Sequence, residues 1–368
     1  MADDDLTARL RAASAACTRS VLHGERESPA DAFARLGAAC GELGIDSWDT
    51  YGDGGAVARL EAEVAELLGK PAAVFFPSGV MGQQAALRAW CERSGSRRVA
   101  LPDRSHLLVH EEDGPRELHG FRFEHLTTGR RTATAADLLA LPAGLGAALV
   151  ELPLRDAGCR LPTWDELVDL SRTARELGVP LHVDGARLWE SQPFLDHSLP
   201  EVADLADSVY VSFYKVLGAH AGAAVAGPAD LAADLRRWRR RMGGTLFRMT
   251  PYAVGALAGL HEHLPRVGEY VGWARDLARE LSAAGFTVDP DPPHTNTFQV
   301  HAPGRADAVN ERLAEFMERE RLAPGSPWWD APVPGLVTTE VAVQGAALAH
   351  DPAQVARLWT EIVGLRRS

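Results

Sequence analysis

From residue 58 onward the chain alternates short apolar runs with amphipathic stretches. ARLEAEVAELLG has helical spacing, AAVFF reads as a buried strand, and GVMGQQAALRAWCERSG reads as a helix stopped by glycine. RRVALP, FRFEHL, GAALVEL, PLHVD, VYVSF and AGAAVAG follow as further short strands, with helical TAADLLAL and TWDELVDLSRTARELG between them. Strands alternating with helices predict an α/β fold built on a mostly parallel, doubly wound sheet. PADLAADLRRWRRRM and TPYAVGALAGLHEHL extend the helical pattern to Pro265, where the texture changes. Beyond it, strands at FTVDP, TFQVHA and GLVTTEVAV alternate with helical stretches, enough for a smaller α+β domain. The expected organisation is a helical arm over residues 1–50, a large domain over 51–265 and a small C-terminal domain over 266–368.

Composition narrows the function class. A formal charge of −12 and an acidic isoelectric point oppose a nucleic-acid backbone or an anionic membrane as partner. No apolar run is long enough to span a bilayer, and the opening MADDDLTARL lacks the basic-then-apolar order of a signal peptide, so a cytoplasmic location is expected. Cys17, Cys40, Cys91 and Cys159 are widely spaced and form no CxxC pair, which predicts free thiols and neither a zinc nor a redox motif.

Of the 38 Lys and Arg residues only Lys70 and Lys215 are lysines. Arg cannot lose its proton or form an imine, whereas a lysine in an apolar setting can do both. Lys70, in LLGKPAAVFF, is expected as an exposed helix-end cation. Lys215, in VYVSFYKVLGAHAGAAVAG, has the wrong surroundings for a surface charge.

PLHVD ends in Asp184, and a strand-end carboxylate in a doubly wound sheet stands where ligands bind, although the same position also suits a helix cap. Lys215 follows 31 residues later, beyond the next strand. A carboxylate and an amine facing one ligand from adjacent strand ends is the arrangement pyridoxal phosphate requires: the amine forms an imine with the aldehyde, and the acid keeps the pyridine nitrogen protonated. In FFPSGVMGQQ a strand breaks at Pro77, and Ser78, Gly79 and Val80 open a helix whose free N–H groups can hold a phosphate. A plain turn capped by Ser78 is the other reading of that segment.

With WDTYGDGG, LEAEVAELLGK, FFPSGVMGQQAALR, DRSHLLVHEEDG, LHVDGARLW, DSVYVSFYKVLGAHAG and RRWRRRMGG in order, the chain resembles the threonine aldolase and aromatic amino acid β-eliminating lyase family over roughly residues 48–350. The resemblance implies the fold-type I architecture of pyridoxal phosphate enzymes, with Lys215 as imine lysine and Asp184 at the pyridine nitrogen. It implies His106 stacked on the cofactor ring, Ser78 and Gly79 on the phosphate, and Arg187 on a cofactor oxygen or the substrate carboxylate. Arg248, after the GG turn and shifted by one residue, would bind phosphate, and Tyr51 would reach a neighbouring subunit's site in a homodimer or homotetramer. The implied reaction is cleavage of the Cα–Cβ bond of a β-hydroxy-α-amino acid to glycine and an aldehyde. β-Elimination or transamination of another amino acid, and a non-catalytic cofactor-binding subunit, are the alternatives.

Departures from the family pattern bear on the substrate. Val80 stands where a threonine is usual, Tyr214 where a serine precedes the lysine, and Gly335 where an arginine of the carboxylate clamp is expected. CTRS, from Cys17 to Ser20, is the nearest counterpart of the N-terminal substrate-holding segment. Of the remaining candidates, His106 and His110 lack a third metal ligand, so no metal is expected, and RRWRRRM is expected as a solvated or subunit-facing stripe.

Overall fold

The computed structural model describes residues 2–23 and 27–365 and divides into two compact units. One comprises Ala30–Pro265; the other joins the described residues up to Pro29 with those from Arg266 onward. The N-terminal fifty residues are thus not one segment. Helix Ala2–Ala16 packs along helix Ala306–Glu320, with Arg9 donating to both carboxylate oxygens of Glu318 at 2.8 and 2.7 Å. Arg19–Ser20, inside the CTRS segment, pairs in parallel with Leu322–Ala323.

The large unit holds a seven-stranded sheet: β1 (Ala72–Phe76), β2 (Arg98–Leu101), β3 (Arg122–His125), β4 (Ala147–Glu151), β5 (Leu181–Gly185), β6 (Ser208–Ser212) and β7 (Ala223–Gly227). Their spatial order is β1-β7-β6-β5-β4-β2-β3, and β7 alone runs antiparallel to its neighbours. β4 to β7 are buried at every position, which is why they read as continuous apolar runs and not as alternation. Edge strand β3 has no buried position. Leu87 and Trp90 of helix Gly79–Ser94 pack with Val74, Phe76, Leu149 and Val225 of the sheet in the core.

Local signals set the helices. Thr163 accepts from the Glu166 N–H while Glu166 accepts from the Thr163 N–H, a reciprocal cap contributing about 1 kcal/mol, and Gly178 in the left-handed region closes the same helix. RRWRRRM is exposed at Arg236, Arg237, Arg240 and Arg241, as a solvated stripe would be, but not at Arg239. Arg239 is buried and donates to the Phe75 carbonyl at 2.7 Å, and Arg236 pairs with Glu61 at 2.6 Å. Glu61 in turn accepts from the Phe75 N–H at 2.8 Å, so the run clamps helix Gly55–Leu67 to β1. Removing Glu61 would leave the buried Arg239 without its carboxylate partner, 3.5 Å away, at a cost of about 3–5 kcal/mol. Lys70 is half-buried and donates to the Ala206 carbonyl at 2.7 Å, so it ties a helix end to the loop before β6 and is not merely a solvated cation.

The small unit carries a second sheet, with strands Trp329–Asp330, Leu336–Ala342, Thr297–Pro303 and Thr287–Asp289 in that order and all antiparallel. Helices Val267–Ala283, Ala306–Glu320 and Pro352–Val363 pack in the same unit. No helix among the described residues is long and apolar enough to cross a membrane.

Candidate active site

β1 and β6 both run antiparallel to β7 and therefore point the same way, as do the parallel strands β2 to β6. The carboxyl ends of β1, β2, β4, β5 and β6 consequently lie on one edge of the sheet, where Ser78, His106, Glu151, Asp184 and Lys215 all follow or terminate a strand.

Asp184 is 5 % exposed and lies opposite Glu151 of β4 and Tyr210 of β6. Its Oδ1 accepts from the Ala186 N–H at 3.0 Å. Burial first, and the neighbouring carboxylates with it, pushes both Asp184 and Glu151 above the usual carboxylate range. Glu151 accepts from the His106 N–H at 2.6 Å, which fixes the start of the short helix His106–Val109. The His106 ring is held at its other end: Nδ1 lies 3.2 Å from Glu111 Oε1, and Glu111 Oε2 accepts from Gln84 Nε2 at 2.7 Å. A carboxylate on Nδ1 keeps the proton there and leaves Nε2 as the acceptor. His110 lies beside it, ring centroids 5.1 Å apart, and meets Asp156 at 2.8 Å. Among the described residues no group of three or more His, Cys, Asp and Glu is placed to hold a metal.

Lys215 follows β6 in a loop closed by Phe213 N–H to Gly222 O and Ala219 N–H to Phe213 O. Gly222, at φ +104, has no room for a side chain, since a Cβ would lie 2.6 Å from the Phe75 ring. Lys215 Nζ stands 4.8 Å from the centroid of the Tyr214 ring. Nearby Glu190 is buried with Oε2 unpartnered; burial pushes it up to about 7, and the charges of Arg187 and Lys215 oppose that rise. Arg187 opens helix Leu188–Leu195 and its charge favours the ionised forms of both Asp184 and Glu190. Ser78, with extended backbone, caps helix Gly79–Ser94 without using its hydroxyl on that helix, and Val80 is partly exposed beside it.

Tyr51 and Arg248 form a separate cluster. Arg248 donates to the Asp49 carbonyl and, at 2.7 Å, to Thr50 Oγ1, with its guanidinium 4.3 Å from the Phe247 ring centroid. Tyr51, at φ +54 and half exposed, packs edge-on to Phe247 at 5.3 Å. The hub is Asp49, fully buried. Burial pushes it up, but the Thr250 hydroxyl and the N–H groups of Gly52, Met249 and Thr250 hold it below the usual carboxylate range. Reading the sequence had missed Asp49, Glu111, Glu151 and Glu190; their only signal was a carboxylate inside an otherwise apolar run or turn.

These residues suit a flat, anionic, nitrogen-containing ring: a buried carboxylate that a ring cation would neutralise, a helix N-terminus led by a serine whose hydroxyl does not cap it, and an amine at the same sheet edge. Comparison with known proteins gives the same class. Sphingomonas wittichii serine palmitoyltransferase shares the fold at a TM-score of 0.66 and 16 % identity, and the architecture is that of the fold-type I pyridoxal phosphate enzymes. The profile of the beta-eliminating lyase family matches residues 38–303, and the chain belongs to that family. It is a pyridoxal-phosphate-dependent lyase. A structure from Exiguobacterium provisionally assigned as an aromatic amino acid beta-eliminating lyase/threonine aldolase is 35 % identical, with a TM-score of 0.88 over 96 % of this chain and 99 % of that one. One from Listeria monocytogenes, provisionally assigned as an L-allo-threonine aldolase, is 33 % identical with a TM-score of 0.89 over 97 % and 99 %. Low-specificity L-threonine aldolase 1 of Arabidopsis thaliana is 28 % identical over 72 % of this chain and 76 % of its own length.

Proposed function

We propose that this lyase cleaves the Cα–Cβ bond of a β-hydroxy-α-amino acid, releasing glycine and an aldehyde. The observation that carries the reading is the meeting of buried Asp184, Lys215 and the doubly anchored His106 at one edge of the sheet. The threonine aldolase names of its relatives support the substrate class.

Pyridoxal phosphate, when bound, supplies an electron sink for the pair left on Cα. Asp184 holds the proton on the pyridine nitrogen, which relieves the buried charge of the carboxylate itself. Lys215 would be the attachment point for the cofactor aldehyde and would supply a free amine for proton transfer. Ser78 and the N–H groups of Gly79 and Val80 hold the phosphate, and Arg187 holds a cofactor oxygen or the substrate carboxylate. His106 would face the cofactor ring, and its Nε2, left as acceptor by the Glu111 contact at Nδ1, would take the β-hydroxyl proton directly or through a water. Tyr51 and Arg248 complete the site of a second copy in a homodimer or homotetramer, and the enzyme acts in the cytoplasm. Gly335 lies in an exposed turn at φ +81 and supplies no cation, so any clamp on the substrate carboxylate comes from another position.

The discriminating experiment incubates holoenzyme with a panel of β-hydroxy amino acids and measures both product pairs. Glycine with equimolar aldehyde is expected. Ammonia with keto acid and no aldehyde would overturn the aldolase reading in favour of β-elimination, the activity for which the family is named.

A further inference from the structure

Two tyrosine hydroxyls converge where helix Gly79–Ser94 begins, with the hydroxyl of Ser212 beside one of them, and none was singled out from the sequence as a ligand. A Cβ placed on Gly79 would lie 2.1 Å from the Tyr210 hydroxyl oxygen and 3.0 Å from that of Tyr214, so both tyrosines end at the first residue of that helix and only glycine fits there. Tyr210 is 3 % exposed, whereas Tyr214 is 38 % exposed. Behind them Ser212 is fully buried. Its Oγ makes no hydrogen bond of ordinary geometry, yet it lies close enough to act on the Tyr210 hydroxyl. The Tyr214 ring is also the one beside Lys215 Nζ, which puts the convergence in the same site as the lysine.

We propose that the Tyr214 hydroxyl is a ligand of the cofactor's phosphate, held in place by a line of donors running from Ser212 to Tyr210 to Tyr214; this rests on the pyridoxal phosphate reading of the site. The direction follows from the donor inventory. A phosphate dianion only accepts, so Tyr214 must donate to it; Tyr214 then accepts from Tyr210, and Tyr210 accepts from Ser212, whose proton has no competing partner. Burial, followed by the charges of Tyr214 and Asp184, raises the Tyr210 hydroxyl well above its ordinary value, so it remains a donor throughout the working pH range. The arrangement also accounts for Val80, which offers the helix N-terminus no hydroxyl of its own. Two tyrosines reaching across from β6 and its loop supply what the first turn lacks.

The test compares pyridoxal phosphate with pyridoxal, which lacks the phosphate. Cofactor is resolved from the holoenzyme and each compound is titrated back into wild type, Tyr214→Phe and Ser212→Ala, with near-UV circular dichroism confirming the fold. Wild type is expected to prefer pyridoxal phosphate strongly. Tyr214→Phe should weaken pyridoxal phosphate about 10-fold or more and leave pyridoxal unchanged, with a smaller selective loss in Ser212→Ala. The 31P resonance of the bound cofactor should move in Tyr214→Phe. An unchanged preference in Tyr214→Phe together with an unmoved 31P signal overturns the proposal, as does an equal loss for both compounds. Wild type that binds neither compound would sink the cofactor reading of the site, a separate and recognisable failure.

Discussion

The sheet edge at Asp184 and the loop cluster at Tyr51 and Arg248 belong to the same unit, yet their surfaces are built on opposite principles. At the sheet edge the titratable groups are withdrawn from water: Glu151, Asp184 and Glu190 are all buried, and burial raises each of them. At the loop cluster a single buried carboxylate, Asp49, organises an exposed surface of Trp48, Tyr51, Leu246 and Phe247. The first region has its own partners within the chain. The second spends hydrogen bonds on presenting aromatic and cationic groups outward, which is how an interface anchor is built. The difference teaches that burial tunes charge in one place and rigidity aims side chains in the other.

That contrast can be broken most decisively at Lys215. Lys215→Arg keeps a cation but cannot form an imine, so the visible band of the holoenzyme, borohydride fixation of cofactor to the chain and lyase activity should all vanish together. Persistence of cofactor fixation in this variant would place the attachment elsewhere, and Lys70 would be the only other lysine.

A sharper test asks whether the loop cluster serves a second copy. Lys215→Ala and Arg248→Ala should each be nearly inactive alone. In a two-fold assembly that shares its sites, unfolding and refolding the two variants together restores about a quarter of wild-type activity, since half of the dimers are mixed and each has one intact site. No recovery on mixing, with dimers shown by sedimentation, would confine Arg248 to its own chain.

The smallest effect expected is on stability against pH. Glu190 is buried and raised from 4.5 to about 7, so the folded state binds its proton more tightly than the unfolded state does. Stability from this group is therefore whole below pH 4.5 and is lost as pH rises through about 7, on the order of 3 kcal/mol at most. Glu190→Gln, which carries no titrating proton, should melt several degrees above wild type at pH 8 and level with it at pH 4.5. A pH-independent difference between the two would show that Glu190 stays charged within the fold.

Much of the sheet was readable because buried parallel strands announce themselves. AAVFF, GAALVEL and VYVSF each contain a strand of the large sheet, and the glycine after TWDELVDLSRTAREL closes its helix. The N-terminal fifty residues were not readable as two parts. Helix Ala2–Ala16 and helix Pro29–Glu42 carry similar local patterns, and what separates them is a parallel pairing with Leu322–Ala323, some three hundred residues away. Within RRWRRRM the burial of Arg239 was hidden for a related reason: charge on a helix looks solvated until a carbonyl such as that of Phe75 is brought against it.

The sequence by itself determined the alternation of strand and helix, the strand-end acid at Asp184, the singular lysine at Lys215 and the glycine-led helix after Ser78, because each depends on residue type and nearest neighbours. Tertiary structure alone decided which carboxylates are buried, that Glu151 and Glu111 grip His106 from two sides, and that Tyr210 and Tyr214 end at Gly79. Those facts depend on strand order and on how turns and neighbouring strands pack together, and no local pattern of side chains encodes a distance through space.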